Sequence, residues 1–264
     1  MIEALFFRVG KPFYALWELT CAVGEFFIFQ ARLTVLSFAP PYRFGLMIKQ
    51  IEVIGVDSLI VIAMTAVFSG LVMSIQLYQA FHHFGAEEMM GYAIFVSIGR
   101  ELGPVFTALM IISRAASAMA AEIGTMRVTE QIDAIEVLSV DSRAYLLVPR
   151  VLASMIALPL LTVIFITIAN IGAYILATQA LGVNPNAYMR SIYNFSKLGD
   201  FIPSLIKSLV FGWLIGSIAT YIGYRTKGGA KGVGLATTSA VVSASVALFL
   251  ANYFLSSIFL LLDW

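Results

Sequence analysis

Long runs without a charged residue dominate the chain and determine its predicted architecture. The first such run, residues 58–81, is 24 residues long. As a helix it would reach about 36 Å, against a hydrocarbon core of about 30 Å. Four further runs follow it, two of them carrying isolated charges. We therefore predict five membrane-spanning helices, at residues 58–81, 89–113, 151–178, 201–224 and 232–262.

The residues ahead of the first run show a different pattern. Aromatic residues such as Trp17, Phe26 and Phe29 alternate with charged residues such as Glu25 and Arg32. An amphipathic helix that lies in the membrane interface fits this mixture. The alternative is a sixth span over residues 17–38, which would carry its charges into the hydrocarbon. We predict one all-α integral membrane domain over residues 1–264, with an interfacial region at 1–50 and a five-span region at 51–264.

The overall composition supports a membrane protein and argues against two other classes. Hydrophobic residues make up 60% of the 264 residues and charged residues only 12%. A water-soluble domain of this size carries about twice that share of charge. The formal net charge is +1, and the clustered Lys and Arg of a nucleic-acid-binding protein are absent, so we predict no nucleic-acid partner.

The distribution of basic residues predicts the orientation. With five spans, the N-terminal region and the loops at 122–150 and 225–231 fall on one side, which holds 11 of the 16 Lys and Arg residues. Basic loops stay in the cytoplasm. The N-terminus is therefore predicted to be cytoplasmic and the C-terminus to lie on the opposite side.

The loop after the second span is predicted to contain a short amphipathic helix at about residues 128–140. Its apolar residues Val128, Ile132, Ile135 and Leu138 recur at helical spacing. Much of the remaining surface is polar, formed by Glu130, Gln131, Asp133 and Glu136. The helix either rests on lipid headgroups or docks against a cytoplasmic partner. The acidic face favours docking, because an anionic leaflet attracts Lys and Arg.

Three charged residues lie inside predicted spans, namely Arg100, Glu101 and Lys207. An unpaired charge in the membrane is costly and marks a pathway or a partner. Arg100 and Glu101 are adjacent, so on a helix they point about 100° apart. We predict that Glu101 and Lys207 approach each other at the mouth of a cavity and that Arg100 faces another helix or a lipid phosphate. The alternative is an ion pair with a purely structural role.

Small residues at four-residue spacing predict close helix packing in lipid. Gly99 and Gly103 form one such pair, and Gly212 and Gly216 form another. A longer stripe is formed by Ala116, Ala120 and Gly124. Packing inside the chain is the simplest interpretation of all three.

No catalytic, metal or nucleotide-binding motif is apparent. GxxxxGK[ST], GxSxG and HExxH are absent from the sequence. His82 and His83 share a loop with Glu87 and Glu88, where a solvated loop fits better than a metal site. We predict no catalytic residue, no metal and no cofactor in this chain, so any ATP must be hydrolysed by another subunit.

One stretch resembles a known family. The sequence GRELGPVFTALMIISRAASAMAAEIGTMRVTEQIDAIEVLSVD, residues 99–141, is similar to the hallmark segment of MlaE/YrbE-type permeases. The similarity extends to IKSLVFG at 206–212 and to GVGLATTSAVVSAS at 232–245. Where some relatives carry an acidic residue in the last span, this chain has Asn252, which leaves a carboxylate role there in doubt.

The resemblance implies a partner set and a function. Such proteins form a homodimer in the inner membrane of bacteria, bound to a cytoplasmic ABC ATPase that holds ATP and Mg²⁺. A periplasmic MCE-domain assembly receives or delivers phospholipid, a STAS-domain accessory protein can join, and the system maintains outer-membrane lipid asymmetry. The helix near 128–140 then corresponds to the ATPase-coupling helix, with the contact residues Glu130, Gln131, Asp133, Ala134, Glu136 and Leu138.

The resemblance also implies a lipid pocket enclosed by two copies of the chain. Candidates to line it come from the first and fifth spans, because they are rich in large apolar side chains: Leu71, Val72, Ile75, Leu77, Tyr78, Phe249, Tyr253 and Phe254. Arg100, Glu101 and Lys207 match the charged positions of the family's motifs. Two other classes stay open, namely an intramembrane lipid-modifying enzyme and a secondary transporter or channel that uses these charges. The direction of transport and the lipid headgroup are not predicted.

Overall fold

The computed structural model describes residues 2–37, 43–197, 199 and 201–262, with the backbone alone for residues 2–16, 18, 19 and 22. The N-terminal side chains ahead of Trp17 therefore lie outside the described part of the predicted interfacial region. Within the described residues the fold is helical and has no β-strand, as predicted. Eleven α-helices occur there: α1 (Ile2–Ser37), α2 (Phe44–Ile54), α3 (Leu59–His82), α4 (Met90–Ser97), α5 (Gly103–Ile111), α6 (Ser117–Val128), α7 (Gln131–Val137), α8 (Val148–Gln179), α9 (Pro185–Phe195), α10 (Ile202–Tyr224) and α11 (Gly229–Leu261).

Five helical stretches of the described residues are long and apolar enough to cross a membrane. Each overlaps one predicted span, so the five-span prediction is confirmed. The first begins at Phe44, ahead of the predicted span at 58–81 and of the predicted region boundary at 51. The reason is that α2 continues into α3 through a single 3₁₀ turn, Val56–Ser58. The five stretches are Phe44–His82, Glu87–Val128, Arg143–Gln179, Ile202–Tyr224 and Gly229–Leu261.

The N-terminal helix α1 is not one of these five stretches. It is a single helix of 36 residues, and its charged residues, including Glu25 and Arg32, dilute its apolar character. Among its described side chains, Phe29, Gln30 and Leu33 are buried. They lie near the start of α8 and the end of α10, where Phe29 contacts the ring of Tyr221. The alternative of a sixth span is therefore not supported.

The second membrane stretch is not a regular α-helix. Two π-helical turns interrupt it, Ile98–Leu102 between α4 and α5 and Ile112–Ala116 between α5 and α6. The first contains Arg100 and Glu101, and Pro104 follows it after Gly103. Proline has no backbone N–H, so it cannot bond to the carbonyl four residues earlier, which is that of Arg100. Such turns are frequent at functional sites.

Glycines allow two helices, α3 and α10, to pack at backbone distance against α8. A Cβ atom added to Gly70 of α3 would lie 2.0 Å from the Ala169 carbonyl oxygen of α8. One added to Gly212 of α10 would lie 2.5 Å from the carbonyl oxygen of Ser154, also in α8. These separations are shorter than any side chain tolerates. The close packing predicted for the Gly212 pair is therefore confirmed.

The loop predicted at residues 181–200 contains a helix that the sequence analysis missed. Helix α9 begins after Asn184, whose side-chain oxygen accepts hydrogen bonds from the backbone N–H groups of Asn186 at 2.9 Å and Ala187 at 3.3 Å. Pro185 occupies the first helical position, where a missing N–H has no cost. Tyr188 and Ser191 are buried, so α9 packs onto the bundle through one face.

Candidate functional site

A buried lysine forms the centre of a polar cluster inside the membrane stretch. The Lys207 side chain is 1% exposed, and its Nζ lies 2.6 Å from Glu101 Oε1. The same Nζ donates to Ser256 Oγ at 2.8 Å and to the Arg100 carbonyl oxygen at 3.3 Å. An ammonium group has three N–H donors, and these contacts give each of them an acceptor. The carbonyl acceptor is that of Arg100, to which Pro104 has no N–H to donate.

Glu101 is the second member of the cluster, and it differs from Lys207 in exposure. Its side chain is 47% exposed. Ser256 Oγ lies 3.1 Å from Oε1, and Asn252 Nδ2 donates to Oε2 at 3.4 Å. The predicted approach of Glu101 to Lys207 is thus confirmed. Ser256 was missed, and Asn252 had been identified only as a departure from the family pattern.

The Arg100 side chain lines a small cavity of about 230 Å³ beside the cluster. Lys207, Ser256 and Pro203 line the same cavity. The predicted contact of Arg100 with another helix or a lipid phosphate stays a prediction. The cavity lies between α10, α11 and the first π-helical turn, so a molecule bound in it would contact all three elements.

A larger groove runs along the opposite side of Glu101, between α3 and the α4–α5 segment. Its volume is about 770 Å³, which is within the range of small-molecule binding sites. Most of its surface is apolar, and Glu101 supplies the charge. The lining residues are Thr65, Phe68, Ser69, Val72, Met73, Gln76, Ser97, Glu101, Leu102 and Phe106.

The predicted lipid-pocket residues are distributed over several surfaces. Val72 lines the groove. Leu77 and Tyr78 pack against the core instead, Leu71 is half-buried, and Ile75 is exposed. The α11 candidates do not line the groove, and they are exposed on their helix: Phe249, Tyr253 and Phe254. Of the predicted pocket residues, therefore, only Val72 of α3 lines this groove.

The predicted coupling helix is shorter than expected. Val128 ends α6, and α7 starts only at Gln131, after Glu130 in the left-handed conformation with φ 59°. Ile132 is buried, whereas Val137 and Leu138 are 84% and 76% exposed. The prediction of one apolar face from Val128 to Leu138 is therefore wrong at both ends. At the first end, the left-handed residue Glu130 separates Val128 of α6 from α7. At the other, α7 ends at Val137 and Leu138 is exposed.

Both acidic residues of α7 have partners within the chain. Asp133 Oδ1 accepts from Arg127 Nη1 at 2.6 Å. Glu136 Oε1 accepts from Ser142 Oγ at 2.6 Å and from the Tyr224 hydroxyl at 2.9 Å. The Ser142 hydroxyl, followed by the Tyr224 hydroxyl, lowers the pKa of Glu136. The acidic face predicted for partner binding is thus partly occupied by internal contacts.

The remaining predicted contact residues of α7 are outward-facing. Glu130, Gln131, Ala134 and Leu138 are exposed. Together with Val137 they form a surface that is more apolar than the sequence suggested. A helix that docks into a groove of a partner uses such apolar residues as anchors.

An ion pair that the sequence analysis missed joins the two membrane stretches on either side of α7. Arg150 Nη2 of α8 lies 2.8 Å from Glu122 Oε1 of α6, and the Arg150 side chain is 6% exposed. The pair therefore holds together the two membrane stretches between which α7 lies.

A second pair that involves a histidine lies in a different loop. His82 Nδ1 lies 2.7 Å from Glu87 Oε1, so this histidine pairs with one carboxylate of that loop.

The architecture and these sites define a multi-pass helical membrane protein with an intramembrane ionic cluster and an apolar groove beside it. Residues 47–258 match the family described as Permease MlaE. The chain therefore belongs to the MlaE permease family.

Relatives from distant organisms are similar over most of the chain. A probable ABC transporter permease protein of Rickettsia bellii is 43% identical over 242 residues, 92% of this chain and 93% of the relative. The intermembrane phospholipid transport system permease protein MlaE of Haemophilus influenzae is 35% identical, covering 82% of this chain and 83% of the relative. The chloroplastic protein TRIGALACTOSYLDIACYLGLYCEROL 1 of Arabidopsis thaliana is 40% identical, covering 80% of this chain and 61% of the relative.

Proposed function

We propose that this chain is the membrane-spanning permease subunit of an ABC-type phospholipid transporter. The observation that carries the proposal is the groove of about 770 Å³ between α3 and α5, with Glu101 on its wall. Membership of the MlaE permease family supports it, as do the names of the Rickettsia and Haemophilus relatives. The chain supplies the lipid path and hydrolyses no ATP itself.

The groove suits an amphiphile. Phe68, Val72 and Phe106 give it apolar walls for an acyl chain, while Ser97 and Glu101 place polar groups at one part of its surface. A diacyl phospholipid needs both kinds of surface. Acyl chains offer no hydrogen bonds, so we expect the groove to tolerate different headgroups.

Energy reaches the groove from a separate ATPase subunit, which holds ATP and Mg²⁺. Its docking surface on this chain is α7 with the residue at each end of it, through the exposed residues Glu130, Gln131, Ala134, Val137 and Leu138. The exposed apolar pair at the end of α7 fits a groove on the ATPase better than a headgroup layer, because a connector resting on an anionic leaflet would present basic residues.

The remaining assembly follows from the family and the charge distribution. We place the chain in the bacterial inner membrane as a homodimer, with a cytoplasmic N-terminus and a periplasmic C-terminus, because the loop that carries α7 is on the basic side. An MCE-domain protein would bind the periplasmic face and a STAS-domain protein the cytoplasmic side. The complex would move phospholipid between the inner membrane and the MCE assembly and so maintain outer-membrane asymmetry.

Purification of the chain with the products of its neighbouring genes tests this proposal. Mass spectrometry of the wild type should find an ATPase subunit and phospholipid. Val72→Trp fills the groove and should remove lipid while retaining the ATPase, whereas the matched control Val163→Trp, on an exposed position of α8, should retain both. Leu138→Asp should lose the ATPase alone. Absence of both ATPase and lipid from the wild type would overturn the proposal and favour an intramembrane enzyme, channel or secondary transporter.

A further inference from the structure

Tyr224, the last residue of α10, connects that helix to α7. Its hydroxyl donates to Glu136 Oε1 at 2.9 Å, across 88 residues of sequence. Ser142 Oγ lies 3.1 Å from the same hydroxyl and donates to the same carboxylate oxygen. The three groups form a closed triangle in which a charged acceptor strengthens both bonds.

The Tyr224 ring is held firmly by its neighbours. The guanidinium groups of Arg127 and Arg143 each lie 5.7 Å from the ring centroid. The Phe29 ring of α1 lies 6.1 Å away. A ring confined on several sides keeps its hydroxyl in place, so the position of Glu136 and the position of the α10 terminus are tied together.

The other end of α10 carries the ionic cluster. Lys207 lies in the second turn of this helix, about 26 Å from Tyr224 by the rise per residue. Between them α10 is continuous and packs on α8 at Gly212 and Gly216 with backbone contact. Backbone contact at these positions leaves α10 little room to bend, so a displacement of one end is expected to move the other.

We propose that Glu136 is a positioning residue whose hydrogen bond to Tyr224 transmits movement of α7 through α10 to the Lys207–Glu101 pair. The inference rests on the proposed function and deepens it. It also changes the predicted role of Glu136, because this residue then contacts Tyr224 of its own chain and not the ATPase. Opening or closing of the groove at Glu101 is then linked to nucleotide state through one helix.

Three variants separate this role from a docking role. Tyr224→Phe removes the hydroxyl and keeps the ring between its two arginines. Glu136→Ala removes the acceptor, while Glu136→Gln keeps a side-chain oxygen that can accept from Tyr224. Tyr221→Phe is the matched control, because it removes a hydroxyl from the same end of α10 whose partner is Arg225.

The measurement is the amount of phospholipid moved per ATP hydrolysed by the full complex in proteoliposomes, with copurified ATPase as a second readout. We expect Tyr224→Phe and Glu136→Ala to retain the ATPase and to lower this ratio roughly tenfold, the scale of one hydrogen bond to a charged acceptor. Glu136→Gln should stay within about threefold of wild type, and the double variant Glu136→Ala/Tyr224→Phe should be no worse than either single variant.

The possible failures are distinguishable. A wild-type ratio in Tyr224→Phe, or an equal loss in Tyr221→Phe, would overturn the inference and leave the proposed function standing. Loss of the ATPase from Tyr224→Phe would assign the contact to docking and also overturn it. A wild-type complex that contains no ATPase would overturn the proposed function, and the inference with it.

Discussion

Lys207 and Glu101 form an ion pair whose two members have different surroundings. The lysine side chain is 1% exposed and the glutamate side chain 47%, with their charged atoms 2.6 Å apart. The cation is therefore enclosed by protein, while the carboxylate forms part of the groove wall. A charge in that position can interact with a bound molecule and with α10 at the same time.

Removing the carboxylate should destabilise the fold strongly. Glu101→Ala leaves the buried Lys207 ammonium without its counter-ion, which costs about 3–5 kcal/mol for buried pairs. Thermal unfolding in mild detergent measures this. Adding Lys207→Met to Glu101→Ala should recover at least half of the loss, because the buried charge is then gone. Equal and additive losses from the two substitutions would show that the pair does not act as a unit.

Ser256 should contribute more than its neighbour Ser257. Ser256 Oγ contacts both Lys207 and Glu101, whereas Ser257 Oγ donates to the Tyr253 carbonyl of its own helix. We expect Ser256→Ala to lower stability by about 1–3 kcal/mol, since a charged group loses a partner. Ser257→Ala should change it by less than about 0.5 kcal/mol. Similar effects from both variants in the same unfolding assay would exclude Ser256 from the cluster.

Gly70 should tolerate no side chain. Its added Cβ would lie 2.0 Å from the Ala169 carbonyl oxygen, and backbone cannot move aside as a flexible side chain does. Gly70→Ala should therefore separate α3 from α8 and cost at least about 1–3 kcal/mol. Gly45→Ala is the control, because nothing lies within 4 Å of the added atom. That variant should be neutral or gain up to about 1 kcal/mol from helix propensity. A well-folded Gly70→Ala protein would contradict the packing.

The contact between Glu136 and Tyr224 should be sensitive to acid. The Ser142 hydroxyl, followed by that of Tyr224, lowers the pKa of Glu136 from its usual 4.5. The folded pKa is below the unfolded one, so the stabilisation is fully present above pH 4.5 and disappears as the pH falls through the folded pKa. Wild type should therefore be more stable than Glu136→Gln above that pH, with the difference closing below it. A difference that does not change with pH would contradict the assignment.

The apolar pattern was sufficient to predict the spans and one contact. A run such as residues 58–81 has no stable place other than a membrane, and the high cost of an unpaired charge in lipid is enough to predict that Glu101 and Lys207 meet. Ser256 and Asn252 could not be found in this way. Neutral polar residues in an apolar helix have a low cost, so their presence carries little information.

Glu136 shows a second limit of the sequence. Its polar position on a short helix predicts exposure, and Glu136 is exposed. Its partner Tyr224, however, lies 88 residues further on, and no local sequence pattern relates two residues so far apart. The aromatic residues of α11 show a third limit of the sequence. The same types of apolar residue face the lipid bilayer and line a lipid pocket, so residue type does not distinguish the two positions. Helix α9 could have been found, because Asn184 followed by Pro185 is a helix-start signal.

The most direct test is ATP-dependent movement of a labelled phospholipid in proteoliposomes that contain either the chain alone or the chain with its copurified ATPase. We predict lipid movement only when the ATPase and ATP are both present, with Val72→Trp blocking it and Val163→Trp leaving it unchanged. Equal movement by the chain alone without nucleotide, or ATP hydrolysis by the chain alone, would contradict the proposed permease function.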